Sequence, residues 1–350
     1  MSPDLAGRHP VAVLASPLFR RHDAGRFEVV AYSGHTRPDE TSALLRQHCK
    51  IWRDVESWSD DRLAATIRAD RIDILVDLAG HTAGNRVGVL ARRPASVQAS
   101  FIGYPHSTGL RAVDALIADP VVCPPYLDAH CSETVVRLPH RFFCLDPDWS
   151  AVGIDPSGVE NRESVVFGSF NNLPKLSPTT MDLWAAVLRD QGGARLRLRA
   201  PSLGDPDVRA HFRRHFEERG IAPNRIDLLG PCGLDEMLRD YGEVDIALDP
   251  LPFNGGMTTL QPLWMGVPVI TLEGGTICSR MGASILGTAG LESFVARSVG
   301  EYREIARQLG ADRDRLIDLR RNLRTRIRGT PLCDVDGYVR DVEAVYRALT

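Results

Sequence analysis

Two successive series of short apolar runs, each run followed by a stretch with helical spacing, constrain this chain more than anything else in it. In the first series, residues 27–33 (FEVVAYS), 73–80 (DILVDLAG) and 96–103 (SVQASFIG) are rich in β-branched residues and apolar along nearly their whole length. Strands of a parallel sheet buried on both faces have that composition. Residues 115–119 and 133–139 continue the series. Between two of the runs, Ser59 or Asp60 can cap a helix whose Leu63 and Ile67 share one face, which makes a β-α-β unit. A second series follows, with strands expected at 165–170, 195–199, 225–229, 244–248 and 268–272 and helices near 178–190, 206–219, 234–242 and 259–265. A polar segment rich in Pro, Gly and Asp, 146–164, separates the two and marks a domain junction.

At 350 residues the chain is longer than one hydrophobic core usually serves. The expectation is therefore an α/β protein of two Rossmann-like, doubly wound domains facing a cleft, residues 1–150 and 160–330. A last helix within 332–350, with Val339, Val342, Val345, Tyr346 and Leu349 at helical spacing, packs back on the first domain. The chain opens in what reads as the loop after a central strand. Neighbouring strands would then lack a partner, and this 350-residue form is expected to be less soluble than one extended upstream.

No apolar run is long enough to cross a bilayer, and the first residues lack the basic start and apolar core of a secretion signal. Seven cysteines with no Cys-x-x-Cys pair read as reduced thiols. These features place the protein in the cytoplasm, away from membranes. A net charge of −3 with both signs interspersed offers no basic face for nucleic acid. All but two of the 42 basic residues are arginines; the exceptions are Lys50 and Lys175.

Three segments carry chemistry. Asp249 to Gln261 (DPLPFNGGMTTLQ) ends a strand, loosens at Gly255 and Gly256, and opens a short helix at Thr258 and Thr259, with Pro262 suited to its first turn. Such a helix start cradles phosphate through unpaired N–H groups and its dipole, and it also reads as a plain capped loop. It is neither a P-loop nor a G-x-G-x-x-G fingerprint. Asn171, Asn172 and Lys175 follow the first strand of the second domain, where ligands meet open α/β sheets. Lys175 is either a compact charge for a diphosphate or a solvated surface lysine. Asp77, His81 and Thr82 close a buried strand of the first domain and suit proton handling near neutral pH, with a structural turn as the competing reading. The turn Ile102, Gly103, Tyr104, Pro105 ends another strand, and His9 stands alone near the start. Two Asp-x-Asp pairs, at 146/148 and 205/207, lie in Pro-rich loops, and no metal is assigned to them.

Together these segments resemble the catalytic region of the O-GlcNAc transferase family, particularly its bacterial members. The resemblance runs from residues 2–10 through DILVDLAGHTAGNR, RRPASVQASFIGYP, FGSFNNLPKLSP and VDIALDPLPFNGGMTTLQPLWMGVPVITL to residues 278–284. It implies a GT-B fold, UDP-N-acetylglucosamine as donor substrate, Ser or Thr hydroxyls of a protein or peptide acceptor, inversion at the anomeric carbon, and no metal or other cofactor. Under it Lys175 sits on the diphosphate with Asn171 and Asn172 near. Thr258 and Thr259, with the Gly255–Gly256 backbone, hold the phosphates, and Asn254, Met257 and Gln261 also belong to the donor site. His9, Asp77 and His81 line the sugar and acceptor side, with Thr82 and the turn from Ile102 to Pro105 beside them. Asp77, directly or through water, and His9 are the candidate bases.

The departures are Gln261, where the family usually has a carboxylate against the ribose hydroxyls, Met237, where many members have histidine, and Asn172, where glutamine is frequent. The tetratricopeptide repeats that often precede this region do not appear in this sequence. Two alternatives stay open: an asparagine-directed or hexose-using glycosyltransferase of the same fold, and a weakly catalytic nucleotide-binding relic.

Overall fold

A computed structural model describes every residue except Arg8, Thr36, Pro38 and Trp149. The chain divides into two compact units, one of Met1–Trp149 with Pro331–Thr350 and one of Ser150–Thr330. In the first, β1 (Val30–Ser33) pairs with β2 (Ile51–Asp54), and β3 (Ile74–Asp77), β4 (Val97–Ser100), β5 (Ala115–Ala118) and β6 (Thr134–Arg137) form a four-stranded sheet in that order. Every pairing is parallel. Of the middle strands, β4 (VQAS) buries Gln98, Ala99 and Ser100, and β5 (ALIA) is buried at all four positions. Strand β2 (IWRD) has no counterpart among the expected strands, because as an outermost strand it is only partly buried and carries polar residues.

The helices obey local chemistry. Asp60–Ala69 is capped by the Ser59 hydroxyl, which accepts the Arg62 N–H, and it buries Leu63, Ala64 and Ile67. Helix Pro10–Arg21 uses the His9 ring nitrogen as its cap and Pro10 in its first turn. The last helix, Val335–Leu349, packs against it. There the Glu343 carboxylate accepts from His22 Nδ1 at 3.0 Å and the Asp23 N–H at 2.8 Å.

In the second unit the strands are β7 (Val166–Ser169), β8 (Arg195–Arg199), β9 (Ile226–Leu229), β10 (Ile246–Leu248), β11 (Val269–Leu272) and β12 (Val295–Ala296). They form one parallel sheet in the order β12-β11-β10-β7-β8-β9. Counted from its own first strand this is the doubly wound order 3-2-1-4-5-6 read backwards, so the winding reverses between β7 and β10. The loops leaving the carboxyl ends of those two strands frame the crevice where such sheets bind ligands. Helix Pro178–Asp190 follows β7, capped by Ser177, and buries Trp184 and Leu188 completely. Trp264 is likewise fully buried, on the helix after β10.

That helix runs Met257–Trp264 with Gly256 as its cap, so it opens one residue earlier than Thr258. Pro262 consequently sits inside the helix rather than in its first turn. Having no N–H, it leaves the Thr258 carbonyl without its helical partner.

Candidate functional site

The strongest convergence lies at the switch point of the second unit. Leaving β7, the chain makes a short 3-10 turn, Leu173–Lys175, that aims Lys175 toward the loop after β10. The Lys175 ammonium donates to the Asn254 carbonyl at 2.7 Å and lies 4.2 Å from the centre of the Phe253 ring. It is therefore a held charge and not a solvated one. Burial pushes its pKa from 10.5 down to about 8, opposed by the negative charge of Asp249. A second bond ties the same loops, from the Thr258 hydroxyl to Asn171 Oδ1 at 2.6 Å. Asn171 is buried and also donates to the Ser169 hydroxyl. Asn172 is exposed, and its backbone carbonyl accepts the Lys175 N–H.

The helix start itself is open. Among the described residues no side chain caps Met257–Trp264, and the Thr259 and Leu260 amides both return to the Gly256 carbonyl. The Met257 and Thr258 amides are thus left free for an anion. Gly255 is required where it stands, since a Cβ there would lie 2.6 Å from the Thr258 hydroxyl oxygen and 3.0 Å from Asp249 Oδ1. Asn254 is fully buried, its side chain donating to the Pro250 carbonyl at 2.9 Å. Gln261 is buried as well, and its Oε1 has no partner among the described residues. Met237 lies on another helix, Leu234–Asp240.

Beneath this cradle is a residue to which the motif reading gave no role. Asp249 ends β10; its Oδ1 accepts the Gly255 N–H at 2.6 Å and the Thr259 hydroxyl at 3.5 Å, and its Oδ2 accepts the Thr271 hydroxyl at 2.7 Å. Burial raises its pKa to about 6, against those hydrogen bonds and the charge of Lys175. It fixes the glycine loop and balances the lysine. An ionisable residue directly after the wholly apolar strand IAL was the available signal. Phe253 was missed for a different reason, because a ring beneath an ammonium has no sequence spacing.

In the first unit a second group of candidates gathers where β3 and β4 end. Asp77 is buried; its Oδ2 accepts the Gly80 N–H at 2.6 Å, while Oδ1 has no partner among the described residues. Burial raises its pKa, opposed by that N–H and by the charges of the Met1 amino group and His81. His81 is exposed; its Nε2 meets the Thr108 carbonyl at 2.7 Å, which requires a proton on that nitrogen and leaves Nδ1 as an acceptor when the ring is neutral. Its ring stands edge-on to Tyr104 at 5.4 Å. The Thr82 hydroxyl donates to the Ala79 carbonyl. Ile102 has φ of +60°, a strained value for a β-branched residue, and is buried, as is Pro105. Gly103 follows because any Cβ there would overlap the Leu78 carbonyl oxygen.

His9 Nδ1 accepts the Val11 N–H at 3.3 Å, and Nε2 lies 3.7 Å from an Asp4 carboxylate oxygen. One ring nitrogen is thus engaged as a helix cap. The Asp-x-Asp pairs also have structural employment: Asp146 binds Arg20 at 3.0 Å and the Asp148 N–H, and Asp205 caps helix Pro206–Glu217.

The sequence profile of glycosyl transferase family 41 matches residues 1–150 and 158–342. A SPINDLY protein of Solanum lycopersicum, named a probable UDP-N-acetylglucosamine–peptide N-acetylglucosaminyltransferase, is 36% identical over 354 residues, spanning 100% of this chain and 38% of that protein. The Caenorhabditis elegans UDP-N-acetylglucosamine–peptide N-acetylglucosaminyltransferase is 25% identical, over 96% of this chain and 39% of its own. Among solved structures, a point mutant of Thermobaculum terrenum O-GlcNAc transferase superposes with a TM-score of 0.94 at 38% identity, over 99% of this chain and 66% of that one. An Anabaena protein, HepE, solved with UDP and glucose, gives a TM-score of 0.64 at 14% identity over 99% of each chain, a likeness of fold alone. The chain spans about two fifths of the length of the curated relatives it matches. With a profile match along nearly all of its residues and a relative 36% identical across its whole length, the chain belongs to glycosyl transferase family 41 and has the α/β fold of GT-B glycosyltransferases.

Proposed function

We propose that this chain transfers N-acetylglucosamine from UDP-N-acetylglucosamine to Ser or Thr hydroxyls of proteins, inverting the anomeric centre without a metal. The observation that carries the reading is the meeting of the Lys175 ammonium with the uncapped start of helix Met257–Trp264. A cation and free backbone N–H groups side by side are what a nucleotide diphosphate needs. The curated relatives named above carry that donor and a peptide acceptor in their names.

In the reaction the acceptor oxygen attacks the anomeric carbon, the bond from that carbon to the diphosphate oxygen breaks, and UDP leaves with the electron pair. Lys175 and the free Met257 and Thr258 N–H groups take up the charge growing on the diphosphate, with Thr259 and the Gly255–Gly256 turn shaping the loop that presents them; electrostatic stabilisation of this kind is usually the largest single contribution. Asn171 holds Thr258 in place. The unpartnered Gln261 Oε1 accepts a ribose hydroxyl. Asp77 takes the acceptor proton, directly or through one water, because its free Oδ1 and raised pKa suit a base. His9 is the second candidate, with a ring nitrogen spent on its helix. His81, Thr82 and the turn from Ile102 to Pro105 contact the sugar and acceptor.

The protein works in the cytoplasm in this reading. Its seven cysteines stand as free thiols, and among the described residues no helix is long and apolar enough to cross a membrane. The test is incubation with labelled UDP-N-acetylglucosamine and a protein acceptor mixture, with and without EDTA. Labelled protein in both is expected. Nucleotide binding without labelled protein would overturn the enzymatic reading, and strong EDTA inhibition the metal-free one. Titration calorimetry against UDP-glucose separates a hexose-using enzyme.

A further inference from the structure

The His81 ring rests on a loop that is itself held from behind. The Thr108 carbonyl, which accepts from His81 Nε2 at 2.7 Å, lies in the segment between β4 and β5. Glu133, the residue before β6, reaches under that segment and is almost wholly buried. Its Oε1 accepts the Thr108 N–H at 2.6 Å together with the Thr108 hydroxyl, and its Oε2 accepts the Ser107 hydroxyl at 2.7 Å. Burial opposes the charged form of this carboxyl, and the bonds from Thr108 and Ser107 outweigh it, keeping the group below its usual pKa range. A negative charge is thus held inside the protein by hydroxyls and N–H groups. Ser107 gives its one proton to Glu133, so its oxygen serves as acceptor for the Gly109 N–H at 3.1 Å and the Ser132 N–H at 3.2 Å.

The peptide unit between Thr108 and Gly109 is therefore engaged at both ends. Its carbonyl takes the proton on His81 Nε2; its N–H goes to Ser107 Oγ, whose own proton goes to Glu133 Oε2. Every donor in this chain points away from His81 and toward the carboxylate. Hydrogen bonds aligned head to tail polarise one another, and more so in a low-dielectric interior. The charge at the far end accordingly favours a proton on His81 Nε2. Nδ1 has no partner among the described residues and keeps its lone pair when the ring is neutral. A clamp on the loop is complete with the two bonds to Thr108. The Ser107 branch is what connects the buried charge to the imidazole.

We propose that Glu133 is a positioning residue for the transfer reaction: through Ser107 and the Thr108–Gly109 peptide it orients the His81 ring with its proton on Nε2, so that Nδ1 offers a lone pair to a substrate hydroxyl. This rests on the transferase reading above, in which His81 contacts the sugar and acceptor. Glu133 touches no substrate itself. As Nδ1 accepts from that hydroxyl the ring gains positive character, and the aligned chain ending on a carboxylate stabilises it.

Glu133→Gln separates the chain from the clamp. The amide oxygen can keep both Thr108 bonds, while the amide N–H meets the Ser107 hydroxyl donor to donor and forces that hydroxyl to turn. Nitrogen NMR of the full chain labelled at histidine, with the ring neutral and the signals assigned by His81→Ala, should show Nε2 protonated and Nδ1 bare in the parent. In Glu133→Gln the shifts of the two nitrogens should move toward each other. Single-turnover transfer should slow by roughly tenfold or more at unchanged UDP affinity. In a His81→Ala background the same substitution should cost less than about twofold. A proton on Nδ1 in the parent, unchanged ring nitrogens in Glu133→Gln, or an equal rate loss with and without His81 would overturn the role of Glu133. The ring readout needs no turnover and so separates the two readings. Parent ring nitrogens as expected in a chain that labels no protein would refute the transferase reading, and the positioning role with it. A parental rate in His81→Ala would remove His81 from the reaction and Glu133 along with it.

Discussion

Replacing Lys175 with alanine separates the work done by its charge from any work done for the fold. An ammonium about 4 Å from a diphosphate oxygen interacts by about 4 kcal/mol at an effective dielectric constant near 20. If about two thirds of that develops as the glycosidic bond breaks, losing it lowers kcat by about 10²-fold. The fold should not suffer in proportion. Burial lowers the Lys175 pKa from 10.5 to about 8, so the unfolded chain binds this proton more tightly than the folded one. That difference opposes folding by about 3 kcal/mol below pH 8 and fades as pH rises from 8 to 10.5. Alanine removes this opposition while losing the packing of the stem on Phe253, so the melting temperature at pH 7 should stay level or rise. The assay is single-turnover transfer at saturating donor, with thermal unfolding measured in parallel. A rate within threefold of the parent would remove Lys175 from the mechanism; a loss of rate matched by a collapse in melting temperature would make it structural.

The same charge predicts a pH profile. In the free enzyme kcat/KM for the donor should fall above about pH 8 as Lys175 loses its proton, and Lys175→Arg should move that limb out of the measured range; a limb that stays near pH 8 would refute the assignment. Asp249→Asn turns an amide donor toward the Gly255 N–H or the Thr271 hydroxyl; a stability loss of about 1–3 kcal/mol and weaker UDP binding by calorimetry are expected, and unchanged binding would show that the cradle does not depend on this carboxylate. Gly103→Ala drives a methyl onto the Leu78 carbonyl and should cost about 3 kcal/mol, lowering the melting temperature by roughly 6–12 °C. Asp77→Asn should lower kcat by at least about 10²-fold with the donor Kd unchanged, and an equal loss of donor affinity would count against it as the base.

Much of this was legible in the sequence because the signals are local. The apolar run at 165–170 became β7 within a residue, since a strand buried on both faces has no polar positions to blur its ends, and 195–199 became β8 through the period-two alternation of its arginines with Leu196 and Leu198. Ser59 and Ser177 announced their helices through side-chain caps. What escaped depends on neighbours. Strand β2 carries an arginine and an aspartate that are acceptable only on the outside of the sheet. The helix after β10 begins at Met257 because the Gly256 carbonyl collects the Thr259 and Leu260 amides, and no propensity places that boundary. Asp249 looked like a strand terminator, whereas its importance lies in Gly255 and Thr271, 6 and 22 residues away.

Strand-end aspartates recur in this molecule, and comparing them sets two loop organisers beside the proposed base. Asp249 spends both oxygens, on Gly255 with Thr259 and on Thr271. Asp119, just after β5, does the same, with Oδ1 on the Val121 and Val122 amides and Oδ2 on the Phe142 amide at 2.7 Å. Asp77, the last residue of β3, makes a similar bond to a loop amide, Gly80, through one oxygen only. A turn needs no more than that bond, so a purely structural Asp77 would be expected either to satisfy its second oxygen as the other two do or to turn it to water. Instead Oδ1 is buried without a partner, an arrangement that costs about 1–3 kcal/mol in a resting protein. A donor arriving with the substrate, the acceptor hydroxyl or a water it carries, removes that cost. The same burial that isolates the oxygen raises the carboxylate's affinity for a proton, as the proposed role of base requires.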